Sequence, residues 1–259
     1  MLNQDRPVPR FLMTAAYDGG AYQGWQIQPG VPTVQETLET ALARMNGGAV
    51  RIHGSGRTDT GVHARGQTFH FDTAREEMSP ETWTRAMNGN LPHDIRILQT
   101  RAVPAAFHAR FDVIRKEYRY RLDPAPVQLP ERRHTCLHIP AVKDLAAMQS
   151  ACEVLRGRHD FKAFSLDRGD GNPDTVRDLQ ELRIQETPEG LWEVVAVAPG
   201  FLYKMVRQLV GALLRTGKGE IPAADLKPFL EEPQRTPHIP TAPAHGLTLW
   251  QVTYPEEFV

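Results

Sequence analysis

Residues 54–67 read GSGRTDTGVHARGQ. One carboxylate, Asp59, stands two residues after Arg57 and four before His63, framed by Gly54, Gly56 and Gly61, with Gly66 beyond. Glycine permits positive φ and close approach of other backbone, so this stretch predicts a tight loop. An arginine, an acid and a histidine gathered at such a bend can hold the carboxylate in fixed geometry and keep it ionised. A carboxylate held in that way serves as a nucleophile or a base. The plainer alternative is a glycine-rich turn in which Asp59 makes a local Asx hydrogen bond. Two phosphate-binding readings fail. Asp59 stands where a dinucleotide fingerprint needs its third glycine, and no Gly-Lys-Ser/Thr follows as a P-loop requires.

The number of acids limits the chemistry. Hydrolysis of a glycosidic bond usually takes two carboxylates about 5–10 Å apart. The loop supplies one; Asp18 and Asp112 are candidates for a second, and sequence does not place them. A single carboxylate suits a reaction that activates no water, such as an isomerisation at a glycosidic bond.

This loop must be positioned by the elements that flank it. RFLMTAAYDG (10–19) predicts a strand ending in an Asp-Gly turn. TVQETLETALARMNG (33–47) predicts a helix capped by Thr33, with Glu36 completing a capping box and Gly47 as the stop. VRIHGSG and GQTFHFDT predict strands on either side of the loop. SPETWTRAMNG (79–89) predicts a second helix, with Ser79 as cap and Pro80 in its first turn, and DIRILQTRAV a further strand. RKEYRYRLD (115–123) alternates strictly, which places Tyr118, Tyr120 and Leu122 on one face and Glu117, Arg119 and Arg121 on the other. The proline-rich stretch 124–140 predicts a loop. Helices follow over 142–157 and 201–219, a hairpin over 177–198 around Pro-Glu-Gly, and a last strand LTLWQVTY. The second half thus repeats the mixed plan of the first. The order predicts an α+β protein of two similar halves, 1–110 and 111–259, with a cleft between them.

Composition bounds the class. The chain has 259 residues, 41% of them hydrophobic, enough for a sizeable core. Its 30 basic and 31 acidic residues give a net charge of −1, but YKMVRQLVGALLRTGK (203–218) carries four bases and no acid. Such a stripe lets a neutral protein bind a polyanion. Two cysteines without a CxxC exclude a disulfide framework and a zinc signature. HTCLH (134–138) reads as a strand or loop with incidental histidines. No signal pattern and no run of about 18 apolar residues occurs, so a reduced, cytoplasmic protein is expected.

GRTDTGVHARGQ resembles the signature of the TruA-type tRNA pseudouridine synthases. YDGGAYQGWQIQPGVPTVQETLE (17–39), FHARFDVIRKEYRYRL (107–122), GRHDFKAFS (157–165), FLYKMVRQLVG (201–211) and APAHGLTLWQVTY (242–254) are similar to that family's other blocks, in its order. The stretches 123–140 and LDRGDGNPDTVRD match less well. The resemblance implies the pseudouridine synthase fold, two ferredoxin-like halves with a continuous mixed, mainly antiparallel sheet and flanking helices. It implies conversion of uridine to pseudouridine at positions 38 to 40 of the tRNA anticodon stem-loop, with no cofactor and no metal. It also implies a homodimer, one tRNA touching both subunits.

The resemblance assigns roles as well. Asp59 matches the essential acid, which attacks ribose or base or removes a ribose proton. Tyr118 would stack on the target base, while Tyr120 is read as core. Arg207 would be the salt-bridge partner of Asp59; on a helical wheel it lies at the edge of an apolar stripe, where arginines usually snorkel. Leu247 would wall the pocket, or is plain strand core. Arg57, Arg65, Arg110, Lys116, Lys204, Arg215 and Lys218 are expected as a set to contact phosphates, and Arg57 to serve the substrate. Two other functions compete: a non-catalytic RNA-binding protein on the same fold, and a nucleoside or glycoside hydrolase.

Overall fold

The computed structural model describes residues 8–167, 174–232, 234 and 239–258. In chain order its elements are β1 (Arg10–Tyr17), α1 (Val34–Asn46), β2 (His53–Gly54), β3 (His63–Asp72), α2 (Pro80–Asn90), β4 (Ile95–Val103), β5 (Arg115–Asp123), β6 (Leu137–His138), α3 (Leu145–Leu155), β7 (Gly157–Asp160), β8 (Val176–Leu179), β9 (Glu181–Glu186), β10 (Trp192–Ala198), α4 (Met205–Gly217), α5 (Pro228–Glu231) and β11 (Leu247–Thr253). The chain divides into two compact units, residues 1–114 with 249–259, and residues 115–248. The expected halves, 1–110 and 111–259, follow chain order; the units do not, because the closing residues join the first. The Tyr254 hydroxyl bonds to Thr68 and to the Ala109 carbonyl, both in that unit.

In the first unit the strands run in the order β4-β1-β3-β11, with β2 also on β3. β1 is antiparallel to both β3 and β4. Alternate residues of β1 turn Phe11, Met13 and Ala15 inward, where Phe11 and Phe71 meet Trp83 of α2. Helix α1 has the predicted caps, though of the capping box only the Thr33 half is made. Thr33 accepts the Glu36 N–H, and Gly47 ends the helix at φ 74°. Ser79 caps α2 in the same way, and Pro80 fills its first turn.

In the second unit β5 pairs antiparallel with β10, and β10 with β9. β6 joins the end of β5 in parallel. The pairing is therefore mixed and mainly antiparallel, and the fold is of the expected α+β class. β5 has the expected bounds and faces: Tyr118, Tyr120 and Leu122 are buried. Glu117, Arg119 and Arg121 lie opposite, where Arg119 and Arg121 meet the buried Glu193 at 3.0 and 3.4 Å.

Three local expectations change. β2 is only two residues long, because the loop begins at Ser55. The hairpin over 177–198 is β9–β10 alone; β8 pairs instead with β7 in a separate two-stranded sheet. α4 starts at Met205 rather than 201. The Tyr203 carbonyl accepts from Leu166 N–H, and Lys204 takes a left-handed turn at φ 59°, so helical bonding begins with Gln208 N–H to Lys204. Part of LDRGDGNPDTVRD lies outside the described residues. Among those residues, no helix is long and apolar enough to cross a membrane.

Candidate active site

Asp59 and Arg57 belong to the first unit; Tyr118, Arg207 and Leu247 belong to the second. Each is described in its own surroundings.

The Asp59 loop is fixed mainly through backbone. Thr58 carbonyl accepts the Trp25 N–H at 3.0 Å, and the Val62 N–H closes a turn onto the Asp59 carbonyl at 3.1 Å. Gly61, at φ 76°, makes that turn without the strain a side chain would bring. Beneath the loop the hydroxyls of Tyr17 and Thr58 share a 2.8 Å hydrogen bond. Burial raises the Tyr17 pKa well above the usual tyrosine range, so the phenol stays neutral. Gln67, wholly buried on β3, accepts from the Ser55 hydroxyl and donates to the Gly56 carbonyl. These bonds tie the arm of the loop before Asp59 to the sheet. The register of β1 against β3 shifts between Ala15 and Tyr17, and such irregularities re-aim the side chains that follow.

Close approach explains the surrounding glycines. A Cβ on Gly24, already at φ 86°, would stand 2.7 Å from the Thr58 carbonyl oxygen; one on Gly54 would stand 2.7 Å from the Trp25 indole. Of the loop's glycines, Gly61 thus supplies the positive φ and Gly54 the close contact. On this scaffold Asp59 is half-buried and Arg57 exposed.

His63 is buried at the start of β3. Its Nδ1 accepts the Gly19 N–H at 3.2 Å and lies 3.1 Å from Asp18. The two candidate second acids serve their own turns: Asp18 accepts from Gly20 N–H, and Asp112 from His108 N–H.

In the second unit Tyr118 is largely buried and packs edge-on to Phe201, ring centres 5.1 Å apart. Tyr120 is wholly buried, as expected, and its hydroxyl donates to the Pro243 carbonyl. A Cβ on Gly246 would strike its ring at 2.5 Å, so that glycine seats the tyrosine. Arg207, in the first turn of α4, is half-buried; its Nε donates to the Ala242 carbonyl at 2.7 Å, and Ala242 N–H returns a bond to the Arg207 carbonyl. This is more definite than snorkelling. Leu247 is buried at the start of β11.

Of the seven expected phosphate contacts, three fall in the first unit and four in the second. Arg65 covers the Trp250 ring at 4.4 Å, and Arg110 sits 5.8 Å from the Phe111 ring. Arg215 pairs with Glu220, which lies 4.0 Å from Lys218 as well, so an acid already stands beside two of the seven expected phosphate contacts. A depression of about 280 Å³ on the sheet of the first unit, between Thr14, Thr68, Arg101 and Tyr254, includes none of the expected site residues.

Tyr17, Gly24, Trp25 and Gln67 escaped the reading of the sequence. For Tyr17, Gly24 and Trp25 the signal was present in the block YDGGAYQGW, which carries three glycines and three aromatic residues before a helix cap.

A family model described as tRNA pseudouridine synthase matches residues 13–112 and 151–255, which include Arg57, Asp59, Arg207 and Leu247 but not Tyr118. The tRNA pseudouridine synthase A of Shouchella clausii is 43% identical over 248 residues, spanning 95% of this chain and 94% of that protein. That of Brevibacillus brevis is 42% identical over 247 residues, with 95% and 100% covered. That of Akkermansia muciniphila is 41% identical over 258 residues, with 96% and 97% covered. With likeness of this depth along nearly its whole length, the chain belongs to the tRNA pseudouridine synthase family.

Proposed function

We propose that the protein isomerises uridine to pseudouridine in the anticodon stem-loop of tRNA, at positions 38, 39 or 40, with Asp59 as the reacting carboxylate. The N1–C1′ bond breaks, the uracil turns, and C5 bonds to C1′. The proton on C5 leaves and N1 takes one up, so no atom is gained or lost and no water is consumed. Arg57, Tyr118, Arg207 and Leu247 serve the bound uridine: Tyr118 offers a ring face, Leu247 an apolar wall, and the arginines charge. Stacking on an aromatic is worth roughly 1–3 kcal/mol per base, which offsets part of the few kcal/mol needed to extrude the target. The resemblance further suggests a homodimer as the working form.

The observation that carries this reading is the scaffold around Asp59. A carboxylate in an ordinary turn needs no buried tyrosine, glutamine and close-packed glycine beneath it, whereas a reacting group must be held to within a fraction of an ångström. The test is direct. Unmodified tRNA transcripts are incubated with the protein, and pseudouridine is mapped by carbodiimide-dependent stops in primer extension. Stops at 38–40 are expected. Release of free uracil would indicate a hydrolase instead, and tight binding without conversion a non-catalytic RNA-binding protein.

A further inference from the structure

The proposed reaction leaves unused a pile of aromatic rings in the first unit. His53 of β2 stands opposite His70 of β3, ring centres 4.9 Å apart and nearly parallel. His108, in the segment after β4, meets the edge of His70 at 4.7 Å, and Phe111 lies against His108 at 4.3 Å. The pile runs from a buried base to an open surface: His70 is 2% exposed and Phe111 is 73% exposed.

Two of its imidazoles accept a backbone N–H at Nδ1. The Ala109 N–H donates to His70 Nδ1 at 3.0 Å, and the Arg110 N–H donates to His108 Nδ1 at 3.1 Å. Each bond places the ring proton on Nε2. Burial, first, lowers the pKa of both imidazoles. With Nδ1 so occupied they are poor metal ligands, and no group of three potential ligands occurs among the described residues.

Phe111 is held rather than loose. His108 carbonyl accepts the N–H groups of both Phe111 and Asp112, and Asp112 accepts the His108 N–H at 2.7 Å. A rigid phenyl ring is thus presented to solvent, with the exposed Arg110 guanidinium beside it and the exposed His53 ring behind. Phe111 is more exposed than any other aromatic ring among the exposed large hydrophobic residues described, and it sits on a stack of rings. Flat aromatic faces next to an arginine are what proteins use to take up unpaired RNA bases, the ring stacking on the base and the cation meeting the adjoining phosphate.

We propose that Phe111, backed by His108 and His53 and flanked by Arg110, is a stacking platform for an unpaired nucleotide of the RNA substrate. The proposal rests on the functional reading above for its ligand. It adds a binding surface distinct from the residues assigned there to the reacting uridine.

The test compares wild type, Phe111→Ala and Phe111→Trp, using unmodified tRNA in filter binding and pseudouridine formation at saturating RNA. Phe111→Ala removes an exposed ring, so melting temperature should not move. Its tRNA affinity should fall roughly 5- to 150-fold, with the rate at saturation unchanged, and Phe111→Trp should restore binding. Wild-type affinity in Phe111→Ala, with the wild type active, would overturn the platform alone. Phe111→Trp binding as weakly as Phe111→Ala would also overturn it. A changed oligomeric state in Phe111→Ala, with RNA affinity intact, would assign the ring to a contact between copies. Failure of the wild type to bind tRNA would remove both proposals; binding without conversion would sink only the reaction.

Discussion

Between Gly54 and Val62 the backbone is fixed by bonds to Trp25, Gln67 and Thr68, all outside the loop, and the Thr58 side chain by Tyr17. Between Met205 and Gly217 it is fixed by its own helical ladder, with the Arg207 Nε bonded to the Ala242 carbonyl. The first unit therefore builds its candidate group into irregular backbone at the cost of several buried partners. The second hangs its candidates on a strand and a helix. An acid in a loop can be aimed more freely than a side chain on a regular element, but every supporting contact becomes a point of failure. Damage beneath Asp59 should spread to activity, whereas damage around Arg207 should stay local.

The largest expected effect separates the two groups themselves. Asp59→Asn keeps the shape and removes the charge, so pseudouridine formation should fall by more than about 10³-fold while tRNA affinity stays within a few-fold. Arg207→Leu should fold, since it extends the apolar stripe of α4, and should cost roughly 10²-fold in rate. Arg207→Lys should lie between, having charge but no planar fork. Tritium release from 5-tritiated uridine in tRNA measures all three. Near-wild-type release by Asp59→Asn would remove the loop from the chemistry. The same result for Arg207→Leu would leave that arginine a helix-edge residue bonded to Ala242.

A second comparison tests the scaffolding. Gly24→Ala brings a positive-φ penalty and a collision with the Thr58 carbonyl, together about 2–4 kcal/mol. Gly190→Ala, in the β9–β10 turn at φ 76° with open space around it, should cost only about 1 kcal/mol. Denaturant midpoints give the difference, and turnover of the folded fraction should drop for Gly24→Ala alone. Equal losses would show that the loop needs no special support.

Acid provides the smallest effect. Burial, then the charges of Arg10, His108 and His53, lower His70 from 6.5 to about 4. Its folded-state pKa is depressed, so between pH 6.5 and 4 the unfolded chain binds the extra proton, and stability falls as pH falls through that window. From pH 7 to pH 5 the loss is about 2 kcal/mol. His70→Gln should flatten that slope in denaturant titrations at the two pH values. An unchanged slope would place the acid sensitivity elsewhere.

Legibility in the sequence followed the range of the interactions. β5 could be bounded to the residue because strict alternation is a local signal, and α1 because Thr33 and Gly47 cap it through neighbours. The helical signal of α4 starts four residues early because the bond that interrupts it comes from Leu166, far back in the chain. β8 was lost to the neighbouring hairpin because its partner β7 lies across a long connection. The same rule divides the site. Asp59 announced itself by composition, but its floor depends on Tyr17 meeting Thr58 across 41 residues. The ring pile gathers positions 53, 70 and 108, which no spacing pattern connects.

The discontinuity of the first unit bears on how the chain is made. During synthesis the ribosome releases all of residues 115–248, a complete unit, before Leu249–Tyr254 appear. Until then β3 has only the two residues of β2 on its side away from β1, and the hydroxyl that links Thr68 to Ala109 is missing. An exposed strand edge is a template for pairing with other chains. The nascent protein therefore carries an open strand edge through the whole time needed to translate the second unit, the kind of edge that pairs with other chains. The Asp59 loop, rooted in the same β3, acquires its final footing only as the last strand arrives.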